Sequence, residues 1–357
     1  MAFQKLLYVF LSTGLFTSCA FQPLSKDAIR PIVVTERVKS DSDDPAIWIN
    51  RKDPSKSLII GTDKGGDSGM GGLYIFDLDG KIDTSKTVPL KRPNNVDIAY
   101  DFRYRGEKKD IAVCTERNTN SIRIFTLPEM KAIDETGIPV FEDSDAKSPM
   151  GIALYTDPRG EIYAIVGRKS GPTENYLYQY KLDTDPSGKI SAKLVRKFGK
   201  YSGKKEIESI AVDNELGFVY YSDEGVGVRK YHAHPDSSGT ELALFATSGV
   251  RQDHEGISIY KANDGTGYIL LSDQQANAFQ IFPREGSNKG PHDHPLIKKI
   301  YTSTKESDGS EVSNVSFNSN FPSGLFVAMS TDGTFQYYRW EDLAGSELFK
   351  APNGIKK

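Results

Sequence analysis

A short apolar segment recurs six times in this chain and limits its fold more than any other feature. The copies begin at residues 46, 96, 151, 209, 256 and 314, which are 47 to 58 residues apart. Each copy is followed by a second, more apolar segment, and then by a third in which apolar and polar residues alternate, as at 122–125. Alternation with a period of two indicates β-strands that have two unlike faces. The pattern therefore predicts a series of small, repeated sheets.

The repeats predict an all-β fold, a six-bladed β-propeller with four antiparallel strands in each blade. Turn sequences rich in Asp, Asn, Gly and Pro separate the strands. The segment 29–37 is predicted to add a strand to the last blade and to close the ring, because closure removes exposed sheet edges. Two stacked β-sandwiches are the structural alternative. The predicted first strands of the blades are 46–49, 96–100, 151–155, 209–212, 256–260 and 314–317.

The N-terminus has the character of an export signal rather than of a folded segment. Lys5 precedes an apolar run at 6–16, which is too short to span a bilayer as a helix. Residues 16–19 resemble the lipobox of bacterial lipoproteins and end in Cys19. We therefore expect an outer-membrane or periplasmic lipoprotein anchored through Cys19, with secretion as the alternative. The expected divisions are a signal peptide at 1–18, an anchor segment with the closing strand at 19–40, and the propeller at 41–357.

Composition excludes some classes of partner and of metal site. The 357 residues carry a net charge of −3, without the concentrated basic surface that nucleic-acid-binding proteins have. Cys19 and Cys114 are the only cysteines, so neither a disulfide framework nor a cysteine metal site is expected. We expect a monomer that binds no nucleic acid.

Acidic residues recur at one place in several repeats, at or just before the first strand. Because propeller blades surround one axis, side chains at this place converge at one end of the central channel. So many carboxylates do not remain ionised together without a compensating cation. Oxygen donors, with no cysteine and few histidines, favour calcium over zinc. The predicted ligands of several Ca²⁺ ions are Asp43, Glu208, Asp253, Glu255 and Asp308.

Basic residues occupy a second regular place, the end of each second strand. Beside a metal-loaded acidic patch they suit a ligand with several negative charges, since Arg and Lys bind phosphate oxygens. Blade four has Glu224 at the same place. The predicted substrate-binding residues are Lys64, Arg117, Arg168 and Lys169.

Several ordered motifs resemble those of the β-propeller phytases, or 3-phytases. The segment 43–48 reads Asp-Asp-Pro-Ala-Ile-Trp, which is similar to the opening motif of that family. Further similar motifs lie at blade intervals, at 94–98, 207–208, 253–256, 307–309, 321–328 and 334–341. The resemblance extends from about residue 41 to residue 343, and the chain is identified as a divergent member.

The resemblance implies a calcium-dependent phosphomonoester hydrolase that releases phosphate from phytate, which is inositol hexakisphosphate. Position by position, it implies calcium binding by the five acids named above. It also implies catalytic roles for Lys64, Arg117 and Lys169 as phosphate-binding cations. Glu224 matches an acidic active-site residue that would orient water or complete a calcium site. Bound calcium would lower the pKa of a water and shield the phosphate charge.

Three positions depart from the family pattern. Met150 replaces a tyrosine that contacts phosphate, Ser170 replaces a glutamate after the lysine, and Glu311 stands where aspartate is usual. Two other functions therefore stay open: a propeller that binds calcium and phosphorylated ligands without turnover, and a calcium-dependent lactonase or esterase. The strand-end cations Lys64 and Arg117 argue against the lactonase class.

Overall fold

The structure of the protein is a computed structural model that describes residues 24–263 and 265–348. In these residues six antiparallel sheets follow one another along the chain, five of them with four strands and one with five. The first strands of neighbouring sheets contact each other in a closed ring, so the sheets are the six blades of a propeller. The predicted fold class is confirmed.

The strand order repeats from blade to blade. A short strand, β1 (Val33–Val34), precedes blade one in the sequence. Blade one contains β2 (Ser42–Trp48), β3 (Leu58–Asp63), β4 (Met70–Phe76) and β5 (Val88–Lys91). Blade two contains β6 (Pro93–Tyr104), β7 (Glu107–Glu116), β8 (Ser121–Leu127), β9 (Lys131–Ala132) and β10 (Ile138–Pro139). Blade three contains β11 (Pro149–Thr156), β12 (Ile162–Arg168), β13 (Glu174–Thr184) and β14 (Ile190–Lys200).

The second half of the ring follows the same order and ends in one short helix. Blade four contains β15 (Ile210–Asp213), β16 (Phe218–Asp223), β17 (Gly227–His232) and β18 (Ala243–Phe245). Blade five contains β19 (His254–Lys261), β20 (Gly267–Asp273), β21 (Ala278–Pro283) and β22 (Lys298–Tyr301). Blade six contains β23 (Ser310–Ser313), β24 (Leu325–Ser330) and β25 (Thr334–Arg339), followed by helix α1 (Trp340–Ala344).

Strand β1 supplies the outer strand of blade six. Val33 pairs with Tyr337 and Val34 with Gln336. Just beyond this strand, the amide of Thr35 donates to the carbonyl oxygen of Phe335 at 3.0 Å. In the described ranges no helix has the length and apolar character needed to cross a membrane. The predicted signal peptide and Cys19 lie outside these ranges.

Six apolar clusters form the core, one between each pair of neighbouring blades. The alternating third strands supply residues to the clusters on both sides of a blade. In blade two, Ile124 packs toward blade three, whereas the next residue, Phe125, packs toward blade one. Between blades five and six, the ring of Trp340 stacks on Tyr260 with centroids 3.7 Å apart. Burial on both faces explains why the second and third strands are so apolar.

The first strand of blade six differs from the prediction. Residues 310–313 form this strand, and residues 314–317 have left the sheet. The amide of Phe317 instead donates to the carbonyl oxygen of Phe321 in a turn. Both rings are buried in the cluster between blades one and six. The alternation at 314–317 therefore reflects burial within a turn, so the predicted strand at this place was wrong.

Candidate active site

Two rows of side chains meet at one end of the ring. Because the first and second strands of each blade are antiparallel, the start of the first lies beside the end of the second. Asp43 lies at the start of β2, and Lys64 directly follows β3. In the same way Glu255 is the second residue of β19, and Glu224 directly follows β16 in the preceding blade. The blade repeat thus brings the predicted acids and cations to a common end of the channel.

A β-bulge at the start of the first strand positions several of these residues. In blades one, two, three and five, one extra residue is inserted in the first strand opposite the second strand. Bulges of this kind re-aim side chains and are common beside active sites. The bulged pairs are Asp43-Asp44, Asn94-Asn95, Met150-Gly151 and Glu255-Gly256.

Lys64 joins carboxylates from the first and last blades. Its Nζ lies 2.9 Å from Oδ1 of Asp43 and 3.2 Å from Oδ2 of Asp308. Asn94 extends this network across the axis, because its Nδ2 lies 3.2 Å from Oδ2 of Asp43 and 3.1 Å from Oε1 of Glu208. Residues of blades one and two and of the loops before blades four and six are therefore in direct contact at one end of the channel.

Glu208, Glu224 and Glu255 form a compact acidic cluster. Each offers a carboxylate oxygen within 4.8 Å of the other two, and all three side chains are buried. Oε1 of Glu224 and Oε2 of Glu255 have no hydrogen-bond partner among the described residues. Buried carboxylate oxygens that lack donors are costly. This glutamate cluster is therefore the place where a cation fits best.

Burial and mutual repulsion raise the pKa values of these acids. Burial is the main cause for Glu208 and Glu255, whose pKa values lie well above the ordinary value. Burial also raises the pKa of Glu224 to about 8, with Glu206 and Asp253 adding repulsion, and that of Asp308 to about 6. A divalent cation would remove both causes, because it supplies positive charge and ligand contacts.

A cavity of about 640 Å³ opens above the glutamate cluster. Lys169 reaches over it, and its Nζ lies 3.1 Å from both carboxylate oxygens of Glu206. On the other side, Nζ of Lys205 contacts Oδ1 of Asp253. The remaining lining residues are Ser170, Tyr201, Glu208, Glu224, Glu255, Gln274 and Asp308. The cavity is therefore acidic at its base and carries lysines at its rim.

Arg117 lies at the same end but has few partners. Its Nη2 contacts Sδ of Met150, and its buried Nε has no hydrogen-bond partner among the described residues. Burial lowers the pKa of its guanidinium, although Glu208 opposes this effect. A thioether is a weak acceptor, so Arg117 keeps donor capacity for an anionic ligand.

Arg168 has a different place from the one predicted. Its side chain is 0% exposed, and its Nη1 donates to Oγ of Ser144 at 2.8 Å and to the carbonyl oxygen of Ala146 at 3.1 Å. The guanidinium carbon also lies 4.7 Å from the ring centres of Phe141 and Tyr178. Arg168 is therefore enclosed in blade three and is not among the residues that line the cavity, and its substrate-binding role stays a prediction.

Several site residues were not predicted from the sequence, among them Gln274, Asn94 and Lys205. Gln274 directly follows β20, so the strand-end rule that selected Lys64 also selects it. Asn94 lies at the start of a first strand, like Asp43. It was not predicted because only charged residues were selected at this position. Lys205 lies in the loop between blades three and four, where no repeat position identifies it. Only the last needed the three-dimensional structure.

The donor set fits a hard cation. Carboxylate oxygens dominate the cavity base, and the neighbouring Gln274 and Asn94 add amide groups. Within residues 24–263 and 265–348 no cysteine takes part, since Cys114 is buried inside blade two. Calcium prefers six to eight oxygen ligands from carboxylates, amides and water. The chemistry of the residues therefore agrees with the predicted type of metal.

The chain is similar in sequence to one protein family and in structure to a solved propeller. The model of a family described as Phytase matches residues 8–337. The 3-phytase of Bacillus subtilis (strain 168) is 30% identical in an alignment over 323 residues, and the match covers 85% of this chain and 80% of that protein. A solved structure described as "Structure of Dos1 propeller" has a TM-score of 0.42 and 13% identity, and the match covers 82% of this chain and 67% of the other. The family match includes residues of all six blades.

Proposed function

Because this chain belongs to the phytase family, we propose that it releases phosphate from phytate by hydrolysis at the cavity above the glutamate cluster. It is a phosphomonoester hydrolase. One observation carries the choice of site: unpartnered buried carboxylates lie at the base of one cavity that Lys169 and Lys205 also line. A phosphorylated substrate and a divalent cation together neutralise such a site.

The cationic side chains would bind the substrate. Lys169 lies at the rim with its side chain 51% exposed, so it is free to exchange Glu206 for a phosphate oxygen. Arg117 retains an unused donor, and Lys64 is held between two carboxylates. Stabilising the charge on transferring oxygens accounts for most catalysis of phosphoryl transfer. We infer that these three residues bind and orient the phosphate that is removed.

The acids would hold calcium and orient water. Glu208, Glu224 and Glu255 would form one site, with Asp43, Asp253 and Asp308 at its edge. Calcium, when bound, supplies positive charge and a water of lowered pKa. Glu224 would complete this calcium site or orient a water beside it.

Phosphate release from phytate tests this proposal. We expect release in the presence of calcium. After chelation we expect the rate to fall at least about tenfold, which corresponds to an activation free energy higher by about 1.4 kcal/mol. Glu208→Gln should show the same loss, whereas Glu142→Gln, at an exposed carboxylate, should not. Calcium-dependent binding of phytate without phosphate release would support the binding-only alternative. Activity that persists in chelator would contradict the metal-assisted mechanism.

We propose in addition that the mature protein is attached to a membrane through a lipid on Cys19. The support is the sequence alone, an apolar run at 6–16 followed by a lipobox-like segment. Metabolic labelling with a radioactive fatty acid should mark the wild-type protein but not Cys19→Ser. Equal labelling of the two, or none in either, would contradict the anchor.

A further inference from the structure

Asp253 already has a cation of the chain itself as a partner. Its Oδ1 contacts Nζ of Lys205, and its Oδ2 accepts a hydrogen bond of 2.8 Å from Nε2 of Gln275. The side chain of Asp253 is only 11% exposed. A metal ion approaching Asp253 would therefore compete with these partners, and above all with the ammonium of Lys205, because both are positively charged.

The backbone of Lys205 is held in place, whereas its side-chain ammonium is able to move. The hydroxyl of Tyr201 donates to the carbonyl oxygen of Lys205. The ring of Tyr201 is buried and packs on Tyr176 with centroids 4.4 Å apart. The side chain of Lys205, in contrast, is 48% exposed, so its ammonium has solvent within reach when it moves.

Lys64 provides an internal comparison. Its ammonium is held by Asp43 and Asp308 together, and its side chain is 14% exposed. Lys205 has one carboxylate partner and more than three times this exposure. Ion pairs near water contribute little free energy, whereas buried pairs are strongly held once formed. Of these two lysines, Lys205 is therefore the one that a divalent cation displaces more easily.

We propose that Lys205 is an internal counterion that competes with calcium for Asp253 and so sets the calcium concentration at which the site fills. It is a positioning residue, since it acts through Asp253. The proposal rests on the proposed function for the identity of the cation as calcium. Its ammonium neutralises Asp253 while the metal is absent and moves into solvent when the carboxylate binds the metal.

Calcium titration of the chelator-treated full chain by calorimetry tests this role. Lys205→Met removes the competing charge, and we expect calcium to bind about three- to fivefold more tightly, the range for one partly exposed ion pair. Lys205→Arg keeps the charge and should bind calcium like the wild type. Lys204→Met is the matched control, because Lys204 is exposed on the same loop and its Nζ donates to the carbonyl oxygen of Gly225 rather than to a carboxylate of the site.

The outcomes separate this inference from the proposed function. Tighter calcium binding by Lys205→Met supports the counterion role even if the wild type releases no phosphate from phytate, which would overturn only the proposed function. Unchanged or weaker binding by Lys205→Met overturns the counterion role even if phytate is hydrolysed. An equal gain in Lys204→Met would also overturn it, because loop charge in general would then be the cause.

Discussion

Arg168 and Lys169 are adjacent in the sequence but lie in different environments. β12 ends at Arg168, and that side chain turns into blade three, where backbone carbonyls and aromatic rings surround it. Lys169 is the first residue beyond the strand and reaches Glu206 at the cavity rim. A single step along the chain thus separates a cation enclosed in a blade from one at the rim of the cavity.

Substitution of each residue should affect a different property. Arg168→Met loses buried hydrogen bonds and ring contacts, so we expect the free energy of unfolding to fall by about 3 kcal/mol. Its KM for phytate should remain that of the wild type at temperatures where it is folded. Lys169→Met should leave the melting temperature nearly unchanged and raise KM about tenfold through the lost charged contact.

Thermal unfolding and steady-state kinetics on both variants check this pair. Each variant serves as the control for the other, since both remove one positive charge at neighbouring positions. A rise in KM for Arg168→Met without a loss of stability would place its guanidinium in the cavity after all. An unchanged KM for Lys169→Met would remove that residue from the substrate site.

The residue types of the site were predictable because the repeat fixes where each strand starts and ends. Asp43, Glu208, Asp253, Glu255 and Asp308 share one repeat position, and the structure brings them to one end of the channel. Side-chain direction at a strand end was not predictable, as Arg168 illustrates. Lys205 could not be predicted either, because its contact with Asp253 joins two loops 48 residues apart.

At the scale of elements, the bulges connect strand geometry with the site. Each inserts one residue in a first strand, so that two adjacent side chains take up different positions relative to the channel. In blade one, Asp43 contacts Lys64 at the acidic end, whereas Asp44 lines the channel interior. Strict alternation would place such neighbours on opposite faces of the sheet. The bulge therefore allows one strand to supply a residue to the acidic end of the channel and another to the channel interior.

Gly151 shows how closely a bulge is packed against the site. A Cβ atom at this position would collide with the carbonyl oxygen of Glu208. We expect Gly151→Ala to displace Glu208, to weaken calcium binding and to lower the free energy of unfolding by about 2 kcal/mol. Calorimetric calcium titration and thermal unfolding measure the two effects.

Gly239→Ala is the control for this substitution. There the added Cβ would meet only Cβ of Phe198, at an ordinary distance of 3.8 Å. Both calcium affinity and stability should stay close to those of the wild type. If Gly151→Ala behaved in the same way, the bulge would not be what holds Glu208 in place.

The strands themselves were largely predictable, because burial on both faces and period-two alternation leave distinct patterns. The bulges were not, since an inserted residue changes neither hydrophobicity nor turn signals. In blade six, apolar residues at 315 and 317 imitate a strand while packing beside a turn. The local pattern thus identified the repeat but not the position of the first strand of blade six.

For the whole molecule, closure of the ring creates an interior that no single blade has. The first strands enclose a cavity of about 230 Å³ along the channel. Asp44, Asp97 and Glu311 line it, and Lys261 is the lysine among its lining residues. Burial raises the pKa of Asp97 to about 6 and that of Glu311 to about 8, with repulsion from Asp97 acting on Glu311.

This interior should make the stability of the whole ring depend on pH. A carboxyl group whose pKa is raised by folding contributes its full stability below its unfolded value, 4.5 for Glu311, and loses it as the pH rises through 8. We therefore expect the melting temperature in chelator to fall between pH 5 and pH 8. Glu311→Gln cannot ionise, so its decline should be shallower and its melting temperature at pH 8 higher, on the order of 5 °C. Glu142→Gln should follow the wild type, and a wild-type decline unchanged in Glu311→Gln would assign the effect to other groups.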